Sequence, residues 1–366
     1  DLHRLIRRQR QMCIRDRYDM WRERPGTGRR VNSGGAKIIF SDTQTHGRSE
    51  MNYRVSGVVD AFRIPKDGYF AHKVMWDGWV DIENHHTHII GHWNYTPDTR
   101  KPVYVVSSGD KVELFVNGKS KGFGRQEYRF LFTFDSIQWE KGCIEAVSYL
   151  EDGTEASRSS IKTIGDPKEL KLSLIQGPNG TYADGADLAL VQIEVVDENG
   201  DRCPLANNMV KFDLQGPAEW RGGIAQGKDN YVLSKELPVE CGITRVMIRT
   251  TDKSGKITLK AEAEGLPSNE ITFETKPVKV RNGLSSYFPA QNLPSRFDRG
   301  ETPATPSYRD SKVDVKVDSI IAGCNQDDAM NSIDDNELSE WRNDGKSNTA
   351  WIAYKLERRA EIDDIC

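Results

Sequence analysis

Between Thr87 and Phe273, apolar side chains recur at every second position. A period of two leaves a chain little choice but strands with one face buried. Val103 and Val105 alternate with Tyr104 and Val106, and Val112, Leu114 and Val116 with Glu113 and Phe115. Asn117-Gly118 follows at once, and that pair suits the left-handed backbone of a two-residue hairpin. Phe130, Phe132 and Phe134, then Ile144, Ala146 and Ser148, continue the pattern, and Asp152-Gly153 makes another turn. Asp166-Pro167 opens a second set. Ala189, Val191, Ile193 and Val195 face one way; Val210, Phe212 and Leu214, Val246 and Ile248, Ile257, Leu259 and Ala261, and finally Ile271 and Phe273 repeat the rhythm. The spacing predicts two antiparallel β-sandwiches, over residues 85–165 and 166–277.

The stretch from Gly34 to Trp76 has a different grammar. Ile38-Ile39-Phe40, behind two glycines, reads as a buried strand of a parallel sheet. Ser41 to His46 is a polar cluster on the loop that follows. Pro65 suits the first turn of a helix, and Asp67 suits the same end through the dipole. Tyr69, Phe70, Lys73, Val74 and Trp76 then recur at helical spacing. Strand, polar loop and helix make one unit of an α/β barrel, a fold whose chemistry sits on such loops.

The run AKIIFSD…SGVVDAFRIPKDGYFAHKVMW resembles the last strand–helix unit of the catalytic barrel in glycoside hydrolase family two, β-galactosidase type. GHWNYTPDTRKPVYVVSSGDKVELFVNGKSKG resembles the immunoglobulin-like domain that follows that barrel in many bacterial β-galactosidases, and TYADGADLALVQIEVVDENGDRCP the invasin-like sandwich of the same enzymes. SIDDNELSEWRNDGKSNTAWIAYKLERRAEIDDI resembles the first part of a discoidin-type carbohydrate-binding domain. The expected architecture is therefore mainly β: a (β/α)8 barrel remnant over 18–80, two immunoglobulin-like sandwiches, a proline-rich linker over 278–311, and an incomplete discoidin-like β-sandwich over 312–366.

The resemblance implies a retaining β-galactosidase acting on β-galactoside oligosaccharides or polysaccharides. Such an enzyme uses two carboxyl groups about 5 Å apart. The family supplies both from earlier barrel strands, and no matching motif occurs in this chain. Glu50 stands in a loop eight residues past Asp42 without a partner, so no catalytic residue is assigned and the chain by itself is expected to be inactive. What the resemblance leaves is part of a sugar pocket. Phe40, where the family more often has Trp, can stack on a sugar's C–H face, and Asp42 and His46 can hydrogen-bond hydroxyls. The competing reading makes Phe40 barrel core and His46 a surface residue.

No cofactor is required by this reading. In discoidin-type domains a short acidic loop ahead of a Trp often holds calcium, which implies Asp334, Asn336 and Ser339, beside Asp335, as ligands; they do not follow the EF-hand spacing. His85, His86, His88 and His92 raise a metal reading, but no three-ligand pattern is evident. Trp76, Trp79, Trp93 and Tyr95 can be read as a sugar platform or as packing between elements, and packing is preferred. The six cysteines show no paired short spacing; Cys203 and Cys241 fall in one domain and can pair or stay buried as thiols.

A chain of 366 residues with net charge -4 and mean hydropathy -0.65 has no apolar run of membrane-spanning length. Residues 1–30 hold ten arginines, but Met12-Cys13-Ile14-Arg15-Asp16-Arg17 resembles a translated sequencing adapter. Residues 1–17 are thus expected to be non-native, nucleic-acid binding is set aside, and the natural N-terminal portion is expected to be missing. Periplasmic or secreted location follows from the family. The rival is a non-enzymatic adhesin or carbohydrate-binding protein of immunoglobulin-like domains, which has no use for a strand–loop–helix unit before its sandwiches.

Overall fold

A computed structural model describes residues 40–42, 57–80, 84–226, 229–285, 315–334, 336, 338–360 and 362. The chain forms two compact units; residues 40–285 belong to one and residues 315–362 to the other.

The larger unit begins with a short parallel bridge between Ser41 and Val59, then helix α1 (Asp67–Val80). Pro65 is not in the first turn: it stands two residues ahead, bridged to Val59, and Asp67 is the first helical residue. The proline ring instead stiffens the approach to the helix, where Lys66 N–H donates to Val58 O at 3.0 Å.

The first sandwich has eight strands: β1 (Thr87–Ile89), β2 (Arg100–Ser107), β3 (Lys111–Val116), β4 (Lys119–Phe123), β5 (Arg125–Tyr128), β6 (Leu131–Gln138), β7 (Cys143–Tyr149) and β8 (Glu155–Lys162). They form two four-stranded sheets, β1-β2-β6-β5 and β4-β3-β7-β8. Val103, Val105, Val112, Leu114, Val116, Phe132, Phe134, Ile144 and Ala146 fill the space between them, with Trp93 at one side. Alternation fails at Val106, which is also buried. Helix α1 packs against β1 and β2, so this sheet has a covered outer face and the period-two signal is blurred there. Asn117 and Gly118 take φ of 50° and 75° between β3 and β4, as the hairpin requires. The Asn117 side chain also ties the turn to the next loop: its Oδ1 accepts Cys143 N–H at 2.9 Å and its Nδ2 donates to Lys141 O at 3.1 Å.

One end of this sandwich is closed by hydroxyls rather than hydrocarbon. Thr87 Oγ1 lies 2.8 Å from Ser107 Oγ, 3.0 Å from Ser148 Oγ and 2.6 Å from Ser157 Oγ, and Ser107 and Ser148 are wholly buried. The cluster crosses from the edge strand β1 to β7 and β8 of the facing sheet. Thr87→Val keeps the shape and removes the hub. We expect a loss of about 1–3 kcal/mol in urea unfolding, because three hydroxyls lose a partner and two of them, on Ser107 and Ser148, are wholly buried; an unchanged midpoint would show that water replaces Thr87 freely.

The second sandwich comprises β9 (Glu169–Ile175), β10 (Tyr182–Ala183), β11 (Leu188–Val196), β12 (Met209–Gln215), β13 (Ala218–Gln226), β14 (Asp229–Val232), β15 (Glu236–Pro238), β16 (Ile243–Thr250), β17 (Lys256–Ala263), β18 (Leu266–Glu274) and β19 (Lys276–Pro277). Its sheets run β14-β13-β16-β11-β9 and β15-β12-β17-β18, and β10 pairs with β19. Ala189, Val191, Ile193, Val195, Val210, Val246, Ile248, Ile257, Leu259 and Ala261 are all fully buried in its core, on the faces that the alternation assigns. Cys203 is a buried thiol, pushed up to about 11 chiefly by that burial, and Cys241 is a free thiol in a turn. A small hairpin follows, β20 (Val280–Arg281) and β21 (Leu284–Ser285).

In the smaller unit β22 (Val317–Ala322) pairs antiparallel with β23 (Ile352–Leu356), beside a 3-10 turn over Gln326–Ser332. Trp341 is half-buried and donates its indole N–H to Cys324 O at 3.0 Å.

Candidate functional site

The residues around Phe40–Asp42 and Gly57–Asp67, ahead of helix α1, form one continuous joint with both sandwiches. Phe40 O accepts the N–H groups of Val58 and Val59 at 2.9 and 3.1 Å, and Asp42 N–H donates to Val59 O at 3.1 Å. The two segments approach so closely at Gly57 that a Cβ there would lie 2.3 Å from Asp42 N, 2.4 Å from Ser41 C and 2.6 Å from Val59 O. Only glycine fits. Its N–H donates to Asp42 Oδ1 at 2.9 Å, while Asp42 Oδ2 pairs with Lys66 Nζ at 2.5 Å.

The chain then makes a tight loop. Asp60 Oδ1 accepts Ile64 N–H at 2.7 Å, Asp60 N–H donates to Ile64 O at 3.0 Å, and Arg63 takes a left-handed φ of 66°. This closure turns Phe62 into the core of the second sandwich, where it is 3% exposed. Arg245 on β16 secures it from the other side: Nη1 donates to Phe62 O at 3.0 Å, while Nε and Nη2 donate to Gln192 Oε1 at 3.0 and 2.8 Å. Burial raises the Asp60 carboxyl, against the opposing pull of the backbone N–H groups of Ile64 and Phe62. Glu240 on the sandwich side is raised as well, by desolvation first and by the charge of Asp60 second.

The other face of the joint meets the first sandwich. Asp67, at the start of α1, pairs with His88 Nε2 on β1 at 2.8 Å, and Phe70 stacks on the same imidazole with centroids 4.3 Å apart. Val74 and Met75 are buried one turn further on. Lys101 donates to Tyr95 Oη at 2.8 Å; burial lowers this lysine, with Asp67 opposing the shift, and burial raises Tyr95.

The joint predicts a pH effect of definite sign. A carboxyl whose folded value is raised binds its proton more tightly in the folded state, so stability is greatest at acid pH and falls as pH rises through and above the ordinary carboxylate range. Asp60 and Glu240 share this sign, with Asp42, Lys66 and Asp229 the charges that act on Glu240. Glu240→Gln should melt about 1–3 °C above wild type at neutral pH and match it in acid. A difference that does not shrink as pH falls would exclude Glu240 as the source.

The residues singled out for sugar and metal are placed as follows. Phe40 is 54% exposed. Asp42 has both oxygens engaged, by Gly57 and Lys66, as a latch. His46 and Glu50 lie outside the described residues, as do the side chains of Trp76 and Trp79. Trp93 is 2% exposed and belongs to the first sandwich's core. His88 is tied to Asp67, and His92 stacks on Tyr95 at 4.5 Å. In the smaller unit Asp334 Oδ1 accepts Asn336 N–H at 3.0 Å, Asp334 Oδ2 accepts the Ser339 hydroxyl at 2.5 Å, and Asn336 Oδ1 accepts Leu338 N–H at 3.1 Å. The Ser339 hydroxyl and Asn336 N–H hold the Asp334 carboxyl low. The Ser339 hydroxyl also donates to Asn336 O at 3.0 Å, so each of these oxygens already meets an N–H or O–H group; Asp335 is outside the described residues. Among the described residues no group of three metal-ligating side chains is gathered, and no helix is long and apolar enough to cross a membrane.

Comparison with known proteins places these features. Residues 172–272 match the family described as glycoside hydrolase family 2 C-terminal domain 5, and residues 98–157 match a domain of unknown function, DUF4982. The chain is 40% identical over 273 residues to a beta-glucuronidase of Formosa agariphila, covering 74% of this chain and 27% of that protein. It is 33% identical over 220 residues to a beta-galactosidase of Bacteroides ovatus, covering 57% and 24%. Among solved structures, a beta-glucuronidase from glycoside hydrolase family 2 superposes with a TM-score of 0.67 at 39% identity, over 76% of this chain and 29% of that one. A beta-glycosidase from Bacteroides vulgatus, with a TM-score of 0.53 at 23% identity over 62% and 28% of the two chains, shares the fold. The chain thus spans about a quarter of the length of the curated relatives it matches.

Proposed function

On the premise that this chain belongs to glycoside hydrolase family 2, we propose that it serves the hydrolysis of terminal β-linked glycosides as the part that braces the reaction centre. The carrying observation is the joint, which fastens the Phe40–Asp42 segment to two sandwiches at once through Phe62 and Asp67. In this reading the two reacting carboxyl groups, about 5 Å apart in a retaining enzyme, come from the portion of the enzyme that the chain does not match. Phe40, exposed beside the latch, is available to stack on a sugar ring, and Asp42 holds it in place rather than holding a hydroxyl.

The helix at 67–80 speaks against the adhesin reading, which requires a strand pair there. The sugar is a glucuronide or a galactoside. Identity favours the former, at 40% to the beta-glucuronidase against 33% to the beta-galactosidase, while the barrel loops that would choose are not among the described residues. We infer a periplasmic or secreted location from the family resemblance alone.

The test is hydrolysis of chromogenic β-glucuronide and β-galactoside by this chain and by a version extended upstream through a whole barrel. The extended enzyme should cleave one of the two and the present chain neither. Activity in the present chain would overturn the bracing role, and an extended enzyme inert on every β-glycoside would overturn the glycosidase reading.

A further inference from the structure

The sequence contains four Asn-Gly pairs, at 117–118, 179–180, 199–200 and 282–283. Such pairs are the usual sites at which a backbone nitrogen attacks its neighbour's carboxamide, since glycine offers no Cβ to obstruct the approach. The reaction needs two free groups: the Asn carboxamide and the N–H of the following glycine. In three of the pairs the fold ties up one or the other. Asn117 is held at both ends of its amide by Cys143 N–H and Lys141 O. Gly180 N–H donates to Gly177 O at 2.8 Å, and Gly200 N–H donates to Asp197 O at 3.0 Å.

Asn282-Gly283 is different. Both residues are exposed, and neither the carboxamide nor the Gly283 N–H has a protein partner among the described residues. They form the turn, with φ of 53° and 75°, of a hairpin held by only two residue pairs, Val280 with Ser285 and Arg281 with Leu284. A two-stranded ribbon this short is marginal in water, so it opens readily to the backbone angles that the attack requires.

We propose that Asn282 is a site of spontaneous deamidation, a built-in chemical clock on the segment that leaves the second sandwich. The Gly283 nitrogen loses its proton to base and bonds to Asn282 Cγ; the Cγ–Nδ2 bond of Asn282 breaks and ammonia leaves. Water then opens the five-membered imide at either carbonyl, giving aspartate or isoaspartate. No electrons are exchanged, and water is the sole co-reactant. The product carries a new negative charge, and in the isoaspartate form an extra backbone methylene that a two-pair ladder cannot absorb.

The test is to hold the full chain in mildly alkaline buffer at body temperature and map its peptides by mass over several weeks, with isoaspartate methylation as a second readout. The Asn282 peptide should convert at least about tenfold faster than the other three, equivalent to a difference of ~1.4 kcal/mol or more in local opening. A parallel sample in denaturant should convert at all four pairs at similar rates. Equal rates at the four pairs in the folded chain, or a pair at 117, 179 or 199 converting ahead of Asn282, would overturn the proposal.

Discussion

Phe62→Ala is expected to cost about 3–5 kcal/mol, the usual loss for a buried aromatic. The ring is 3% exposed and packed in the core of a sandwich whose first strand starts more than a hundred residues later. The site cannot collapse to fill the void, because the loop is pinned by Asp60 on one side and Arg245 on the other. Urea unfolding followed by hydrogen exchange in β11 and β16 would read the effect directly. Those strands should lose protection together with residues 58–66, while β3 and β7 of the first sandwich keep theirs. A loss below about 1 kcal/mol, the range of surface substitutions, would mean that the ring is not core.

Gly57→Ala should be the next most damaging change, and its cause is different. No hydrophobic contact is lost. A methyl group is driven within 2.6 Å of three backbone atoms on two segments, none of which can swing away as the tip of a long residue would. Overpacking of this kind costs about 1–3 kcal/mol or more. The parts of the joint that give are the bonds from Val58 and Val59 to Phe40 O, with the Asp42–Lys66 pair. Exchange of the Val58 and Val59 amides should rise by about two orders of magnitude, corresponding to ~3 kcal/mol of easier opening, while Phe62 stays in place. Unchanged amide exchange would show that these bonds do not hold the Phe40–Asp42 segment.

The two sandwiches are legible in the sequence because each strand there has one wet face and one dry face. Period two survives whenever that condition holds, as at Val112–Val116 and Ala189–Val195. It fails at Val106, because a helix from elsewhere in the chain covers the second face and no local pattern announces such a lid. The run SGVVDAFRIPKDGY stands out as specific, and the reason is visible only in three dimensions. Gly57 allows close approach, Asp60 closes a loop, Arg63 turns left-handed, Lys66 latches Asp42 and Asp67 grips His88. Of the residues read as a sugar pocket, only Asp42 belongs to this set, and its carboxylate meets Gly57 N–H and Lys66. The Phe62 peg has no signal at all, since an apolar residue between Ala61 and Arg63 fits neither period.

The hydroxyl cluster around Thr87 bears on how this molecule can be dissected. The recognised domain begins at residue 98, yet the strand that seals the end of the first sandwich lies at Thr87–Ile89, and the helix covering its outer sheet lies earlier still. A piece trimmed to residue 98 would leave Ser148 and Ser157 facing an empty slot and an unroofed β2 ready to recruit a neighbour's backbone. Workable pieces should start before Phe40, so that lid, latch and seal travel together.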